Sequence, residues 1–358
     1  MKKSYFIMGI FLLGILIFAT SFNQVLAYEE GEGEDDNCED ETKRHVEIWF
    51  GENVIEAASI KCSDDKKDIM DLRIGYNEYG ISIAVSFSTM TKIVCEEECE
   101  SEEEHTVKTS CEDWEYEEKL RFEVLFKSLI EYVDLNENGI FDIEEDTCVG
   151  DYGINSFHTP IYTPINISDD SVLHYFIINT TDGIFATHIY FPEEFVIVDG
   201  NLISPTQIKI DIEITNYNYI DDNSQLALYT KLFSEDYYND KEETEDENDG
   251  VATDEKEVYT DNGIYRGIFS WKETAMIDGV EMPVLTNELE FECKEENIQM
   301  LLFNYPRGNH IYHDPKIGIV FINLPASDFP MILIGSIAGV AGLIIVGTTV
   351  IMKKRRIR

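Results

Sequence analysis

Between residues 207 and 215 the chain places isoleucine at 208, 210, 212 and 214, with Lys209, Asp211 and Glu213 between them. A period of two fits only extended backbone, where successive side chains point to opposite faces, so this stretch reads as a strand with one buried face. Segments 46–50, 69–76, 81–87, 173–178, 184–191, 226–233, 265–271, 298–305 and 317–322 read similarly. Asp182-Gly183, Asp199-Gly200 and Asp278-Gly279 separate several of them as turn signals. Short strands without a long helix outside the apolar ends predict a mainly β protein built of antiparallel sandwiches. About 300 residues exceed one ordinary sandwich. Two stacked antiparallel β-sandwich-like domains are therefore expected, at 44–200 and 201–328, joined near Asp199-Gly200-Asn201 and ahead of Pro205. No internal repeat is visible.

One stretch is ambiguous. Phe122, Leu125, Phe126, Leu129, Ile130 and Val133 keep helical spacing, whereas Leu120, Phe122, Val124 and Phe126 alternate as in a strand. The β character of the rest favours a strand through Phe126, with a short helical turn over 129–133 as the alternative.

The two ends carry an address. Lys2 and Lys3, an apolar run at 5–18 and the small-residue ending Val25-Leu26-Ala27 have the three-part layout of a secretory signal peptide (1–27), an uncleaved anchor being the alternative. Residues 331–352 hold no charge and are long enough, as a helix, to span a bilayer core of roughly 30 Å. The basic tail 353–358 comes at once after it and by the positive-inside rule stays cytoplasmic. The layout implies a single-pass type I protein of the cell membrane, its ectodomain outside and its membrane contact made by the C-terminal helix.

The sequence has 27 Lys and Arg against 71 Asp and Glu. Two of the bases lie in the leader and five in the tail, which leaves 20 against 71 acids and an ectodomain charge of about −51. Such a surface repels nucleic acid and anionic lipid and favours divalent cations and basic partners, so no nucleic-acid partner is expected. Adaptation to high salt is a rival explanation, less consistent with the many Lys and Ile. The acid concentrates in 29–41, 96–104 and 235–257, which read as a disordered leader (28–43) and two solvated loops, because such segments bury too little apolar surface to offset the entropy of ordering.

Residues 134–145, Asp-Leu-Asn-Glu-Asn-Gly-Ile-Phe-Asp-Ile-Glu-Glu, fit the pattern D-x-[DN]-x-[DN]-G-x5-E at each specified position. Ca2+ takes six to eight hard oxygens, so alternate residues of a tightly wound loop must turn oxygen inward. Asp134, Asn136 and Asn138 would give side-chain oxygens and Ile140 its backbone carbonyl. Asp142 would act directly or through water, and Glu145 would close the shell with both oxygens. Gly139 permits the sharp turn, and Phe141 is an apolar anchor. These twelve residues resemble the EF-hand and dockerin class of calcium loops. The stretch 146–153 departs from an EF-hand: it contains two glycines and no apolar periodicity, which argues against an exiting helix, and no second loop exists to pair with this one. A lone loop with three carboxylates suggests weak binding, about 10⁻⁴–10⁻³ M, and calcium acting as a structural clamp.

All seven cysteines, at 38, 62, 95, 99, 111, 148 and 293, fall in the expected exterior, where disulfides are the default and an odd count leaves one thiol over. Asn166-Ile167-Ser168 and Asn179-Thr180-Thr181 are glycosylation sequons. His310-x-x-His313-Asp314 has metal-site flavour but reads as part of a Pro306–Pro315 turn between two strands, where an orienting hydrogen bond or a merely exposed turn is the better reading. There is no nucleophile elbow, P-loop, H-E-x-x-H or dinucleotide glycine pattern, so no enzyme is expected. The pattern implies a membrane-anchored, calcium-stabilised surface protein for adhesion or for binding an extracellular ligand or protein. A surface-layer component and a carboxylate-dependent glycan hydrolase are the alternatives. The layout resembles anchored surface glycoproteins of prokaryotes, archaeal ones in particular, a likeness of architecture alone.

Overall fold

The isoleucines at 208, 210, 212 and 214 are all buried on one face of a single strand, as their spacing requires. The computed structural model describes residues 44–63, 65–97, 109–168, 171–234, 255–261, 264–289 and 298–321. These belong to one compact unit, Asp40–Arg358. The expected signal peptide, acidic leader, transmembrane helix and basic tail lie outside the described residues. The acidic loop 235–257 does too, save its last three residues. Among the described residues there is no helix, and so none long and apolar enough to cross a membrane.

In chain order the strands are β1 (Arg44–Phe50), β2 (Val54–Cys62), β3 (Lys66–Asn77), β4 (Gly80–Glu97), β5 (Thr109–Val133), β6 (Thr147–Gly153), β7 (Ile161–Ser168), β8 (Ser171–Asn179), β9 (Phe185–Pro192), β10 (Val196–Val198) and β11 (Asn201–Ile203). After them come β12 (Gln207–Thr215), β13 (Gln225–Ser234), β14 (Glu255–Asp261), β15 (Tyr265–Lys272), β16 (Thr274–Ile277), β17 (Val280–Pro283), β18 (Leu285–Glu288), β19 (Ile298–Tyr305), β20 (His310–His313) and β21 (Lys316–Phe321). All pairings among these strands are antiparallel. A nine-stranded sheet runs β1-β2-β3-β4-β5-β13-β19-β18, with β6 also on β5. A ten-stranded sheet runs β14-β15-β21-β12-β20-β16-β17 and continues from β12 through β9 and β8 to β7. β10 and β11 form a separate hairpin.

Both sheets feed one hydrophobic core. Phe126 of the nine-stranded sheet lies 6.4 Å from Phe185 and 6.4 Å from Phe269 of the other, and Phe303 meets Phe269 edge-on at 6.1 Å. Close approach is built in at Gly267, where a Cβ would come within 2.8 Å of Phe122 Cβ. Gly80, at φ +135°, turns β3 into β4 where a Cβ would strike the Phe126 carbonyl.

The division into two domains near residue 200 does not hold. β13, β18 and β19 complete the sheet begun by β1–β6, and β9 from the first half pairs with β12 from the second. Asp199-Gly200 is only the turn of the β10–β11 hairpin. Alternation tells a strand to bury one face and is silent on which sheet receives it, so two interleaved sheets leave the same imprint as two consecutive sandwiches. The ambiguous stretch is likewise strand through to Val133. Phe126 pairs with Thr230 but Ser128 with Tyr229, so Lys127 is an extra residue. This bulge flips the parity of the strand, moving the core positions from Phe122, Val124 and Phe126 to Leu129. A spacing of three inside a strand is what imitated a helix.

One shared core predicts one cooperative unfolding. Denaturation is expected to show a single transition, residues 44–200 alone to remain unfolded by circular dichroism, and Phe126→Ala to cost about 3–5 kcal/mol. Two separable transitions would contradict the interleaved topology.

Candidate functional site

The loop 134–145 joins β5 to β6 at one end of the nine-stranded sheet, and its own short polar side chains wind it. Asp134 accepts the Gly139 N–H through Oδ2 at 2.7 Å and the Asn138 N–H through Oδ1 at 3.3 Å. Asn136 Oδ1 accepts from Asn138 N at 3.0 Å, Asn138 Oδ1 from Ile140 N at 2.9 Å, and Asp142 Oδ1 from Glu144 N at 2.8 Å. These last three are Asx turns, in which a side-chain oxygen replaces the backbone carbonyl of a turn two residues on. Glu137 and Gly139 take positive φ, 58° and 79°, as the winding demands. Asn136 Nδ2 donates to Glu145 Oε2 at 2.5 Å, so the third and twelfth positions meet.

Four residues outside the motif, Asp146, Asn304, Asn287 and Tyr132, hold the loop in place. Asp146 ties its two ends, accepting from Leu135 N at 3.0 Å and from Asp142 N at 2.8 Å. Asn304 of β19, almost wholly buried, accepts the Phe141 N–H at 2.9 Å, while Asn287 Nδ2 of β18 donates to the Phe141 carbonyl at 3.0 Å. Asn304 Nδ2 in turn donates to Leu285 O at 3.0 Å and Asn287 Oδ1 at 2.8 Å. Both backbone groups of the anchor residue are thus satisfied by asparagine side chains. The Phe141 ring is buried 5.2 Å from that of Tyr132, and the Tyr132 hydroxyl donates to Gly139 O at 3.3 Å. Burial, with the charges of Asp134 and Asp146 adding to it, pushes the Tyr132 hydroxyl well above its ordinary range, so it stays a donor. Nothing local in the sequence announces Asn304. The one signal is its place as a polar residue in the otherwise apolar run Met300-Leu301-Leu302-Phe303-Asn304-Tyr305.

The donors suit a hard cation in kind. Asp134, Asn136, Asn138 and Asp142 bond loop amides through oxygens that each keep a further lone pair. The carboxylates alone do not suffice: among the described residues no three His, Cys, Asp or Glu side chains gather closely enough to hold a metal ion. A calcium shell here would depend on the amides of Asn136 and Asn138 and the carbonyl of Ile140 beside Asp134, Asp142 and Glu145. β6 comes directly after the loop, so no helix leaves it.

The histidine cluster resolves differently. His310 and His313 stand on β20, not in a turn, and three residues along a strand puts them on opposite faces. His313 is in the core, its Nδ1 3.0 Å from the Tyr305 hydroxyl and its Nε2 2.9 Å from the Lys272 carbonyl. Burial pushes it down to about 4, so it is neutral near pH 7. His310 Nε2 lies on the outer face, 2.8 Å from Glu213 Oε1, while His188 Nε2 lies 3.1 Å from Glu213 Oε2. Burial works to raise the Glu213 carboxyl; the two imidazoles outweigh it and hold it below the usual range. On the same face Lys209 and Asp211 are both completely buried and paired with each other, with Asp199 3.6 Å from Lys209 Nζ.

Two further groups stand out. Cys148 is a free, exposed thiol beside the loop, whereas Cys62 is disulfide-bonded. Asp71 of β3 has its carboxyl raised to about 7, chiefly by burial, opposed by the Ser86 hydroxyl and reinforced by Glu118 and Glu56. Compared with models of known protein families and with characterised proteins, the chain matches none.

Asn304→Leu removes the acceptor of the buried Phe141 N–H and is expected to cost about 1–3 kcal/mol, read by chemical denaturation; an unchanged midpoint would show that the latch carries no weight. The folded state prefers Asp71 protonated, so between the ordinary value of 3.8 and about 7 the unfolded chain ionises first and stability falls as pH rises. Asp71→Asn is therefore expected to melt higher than the wild type at pH 8 and alike at pH 4; equal melting at both would contradict the buried carboxyl.

Proposed function

We propose that the chain is a membrane-anchored extracellular surface protein that binds calcium at Asp134, Asn136, Asn138, Ile140, Asp142 and Glu145, with the ion acting as a structural clamp and the β body serving adhesion or ligand binding. The observation that carries this reading is the winding of residues 134–145. Oxygens at alternate positions draw the loop closed, and its anchor residue is latched through Asn304 and Asn287 to strands β19 and β18. An ion held there would pull Asp134 and Glu145 together, and with them the end of β5 and the start of β6. It would draw on the same latch that fixes the β18–β19 edge. The apolar ends at 1–27 and 331–352 supply the export and anchoring parts of the reading.

A ligand that binds only the folded state raises its stability by mass action, about 1–3 kcal/mol at ten to a hundred times Kd. The ectodomain is expected to melt higher in millimolar calcium than in chelator, with Asp134→Ala and Glu145→Gln abolishing the difference. Identical melting of the wild type in both conditions would end the calcium reading.

A further inference from the structure

Strand β7 ends the ten-stranded sheet and differs from the other strands that end the two large sheets. β1, β14, β17 and β18 each include an acidic residue, whereas β7, Ile-Tyr-Thr-Pro-Ile-Asn-Ile-Ser, has no charge in a chain whose residues are 27% charged. Among the described residues β7 pairs with β8 alone. Ile161, Ile165 and Ile167 are 53%, 41% and 40% exposed. On the other face of β7, Tyr162 lies 5.8 Å from Phe50 of β1, and Trp49 and Phe50 are themselves exposed. An open strand of this composition invites pairing with another chain, and charge is the usual guard, since an unpaired charge cannot be buried between two edges. β7 carries other guards. Pro164 lacks a backbone donor, and the register breaks between Asn166 and Ser168. At that break lies the sequon Asn166-Ile167-Ser168, its three residues exposed.

The second sequon is placed otherwise. Asn179 is half-buried at the end of β8, an interior strand, and its carbonyl accepts the His158 N–H at 3.0 Å. The next residue, Thr180, is buried, its hydroxyl shared between Asp182 Oδ1 at 2.7 Å and the Phe185 carbonyl at 3.2 Å.

We propose that Asn166, and not Asn179, carries an N-linked oligosaccharide, and that this glycan covers the open β7 edge. In the transfer, Asn166 Nδ2 bonds to the anomeric carbon of a lipid-diphosphate-linked oligosaccharide. The bond from that carbon to the phosphate oxygen breaks, the amide gives up one proton, and the lipid diphosphate leaves. A large hydrated chain at the register break denies a second sheet its approach while leaving the β7–β8 ladder intact. The inference rests on the export reading, because the donor meets only exported chains.

The full chain is to be expressed in a secretory host competent for N-glycosylation, with export read on intact cells by a membrane-impermeant lysine label and the sequons mapped by mass spectrometry after enzymatic glycan release. The expected result is a surface-labelled chain with sugar on Asn166 and none on Asn179. A labelled chain with Asn166 bare, or with sugar on Asn179, overturns the assignment while leaving export intact; an unlabelled chain overturns both. For the covering role, Asn166→Gln, checked for fold by circular dichroism, is expected to self-associate with concentration in sedimentation relative to the wild type. Adding Ile165→Lys and Ile167→Lys is expected to restore wild-type behaviour. An Asn166→Gln variant that sediments like the wild type overturns the covering role.

Discussion

The apolar contact between the two sheets is the constraint on which everything else rests. Phe126 meets Phe185 and Phe269 across it, and Phe303 closes on Phe269 and Trp271. Each sheet has one face that water cannot be allowed to wet, and the only surface able to cover it is the matching face of the other. Because β13 and β19 sit in the first sheet while β12, β15 and β21 sit in the second, neither half of the chain can complete its face alone. Consecutive strands pair within each sheet, but the two halves of the chain are joined by pairings between strands far apart in sequence.

The loop at 134–145 is an attachment to that frame. Its internal Asx turns give it shape, but its position comes from Phe141, whose ring packs on Tyr132 and whose backbone is claimed by Asn304 and Asn287. A polar side chain as deeply buried as Asn304 is tolerable only because its amide oxygen and nitrogen all find partners. The frame thus preorganises the loop, and a cation bound there would act on an arrangement already close to closed.

The outer face of the ten-stranded sheet shows the same logic with charge. Lys209 and Asp211 occupy the solvent side that alternation assigns them, yet neither touches water: they pair with each other, Tyr312 donates to Asp211, and the Tyr190 ring lies 5.2 Å from the Lys209 ammonium. Burying an ion pair is tolerable when every partner is present. The His188–Glu213–His310 chain beside it runs across three strands, from β9 through β12 to β20.

Read alone, the sequence determined that the fold is mainly β and that short polar side chains wind the loop. A period of two at Ile208–Ile214 admits only strand, and Asp134, Asn136, Asn138 and Asp142 place oxygens where a wound loop turns them inward, because both facts depend on residues a few positions apart. Tertiary structure alone decided the rest. It decided that one two-sheet body stands where two domains were expected, since sheet membership is settled by contacts between distant strands. It decided that β5 continues through a bulge at Lys127, since a bulge is defined by the partner strand. It decided that His310 and His313 part to opposite faces, and that Asn304, 163 residues beyond Phe141, holds the loop. A local pattern reports what a residue can do; which partner it does it with is a property of the folded chain.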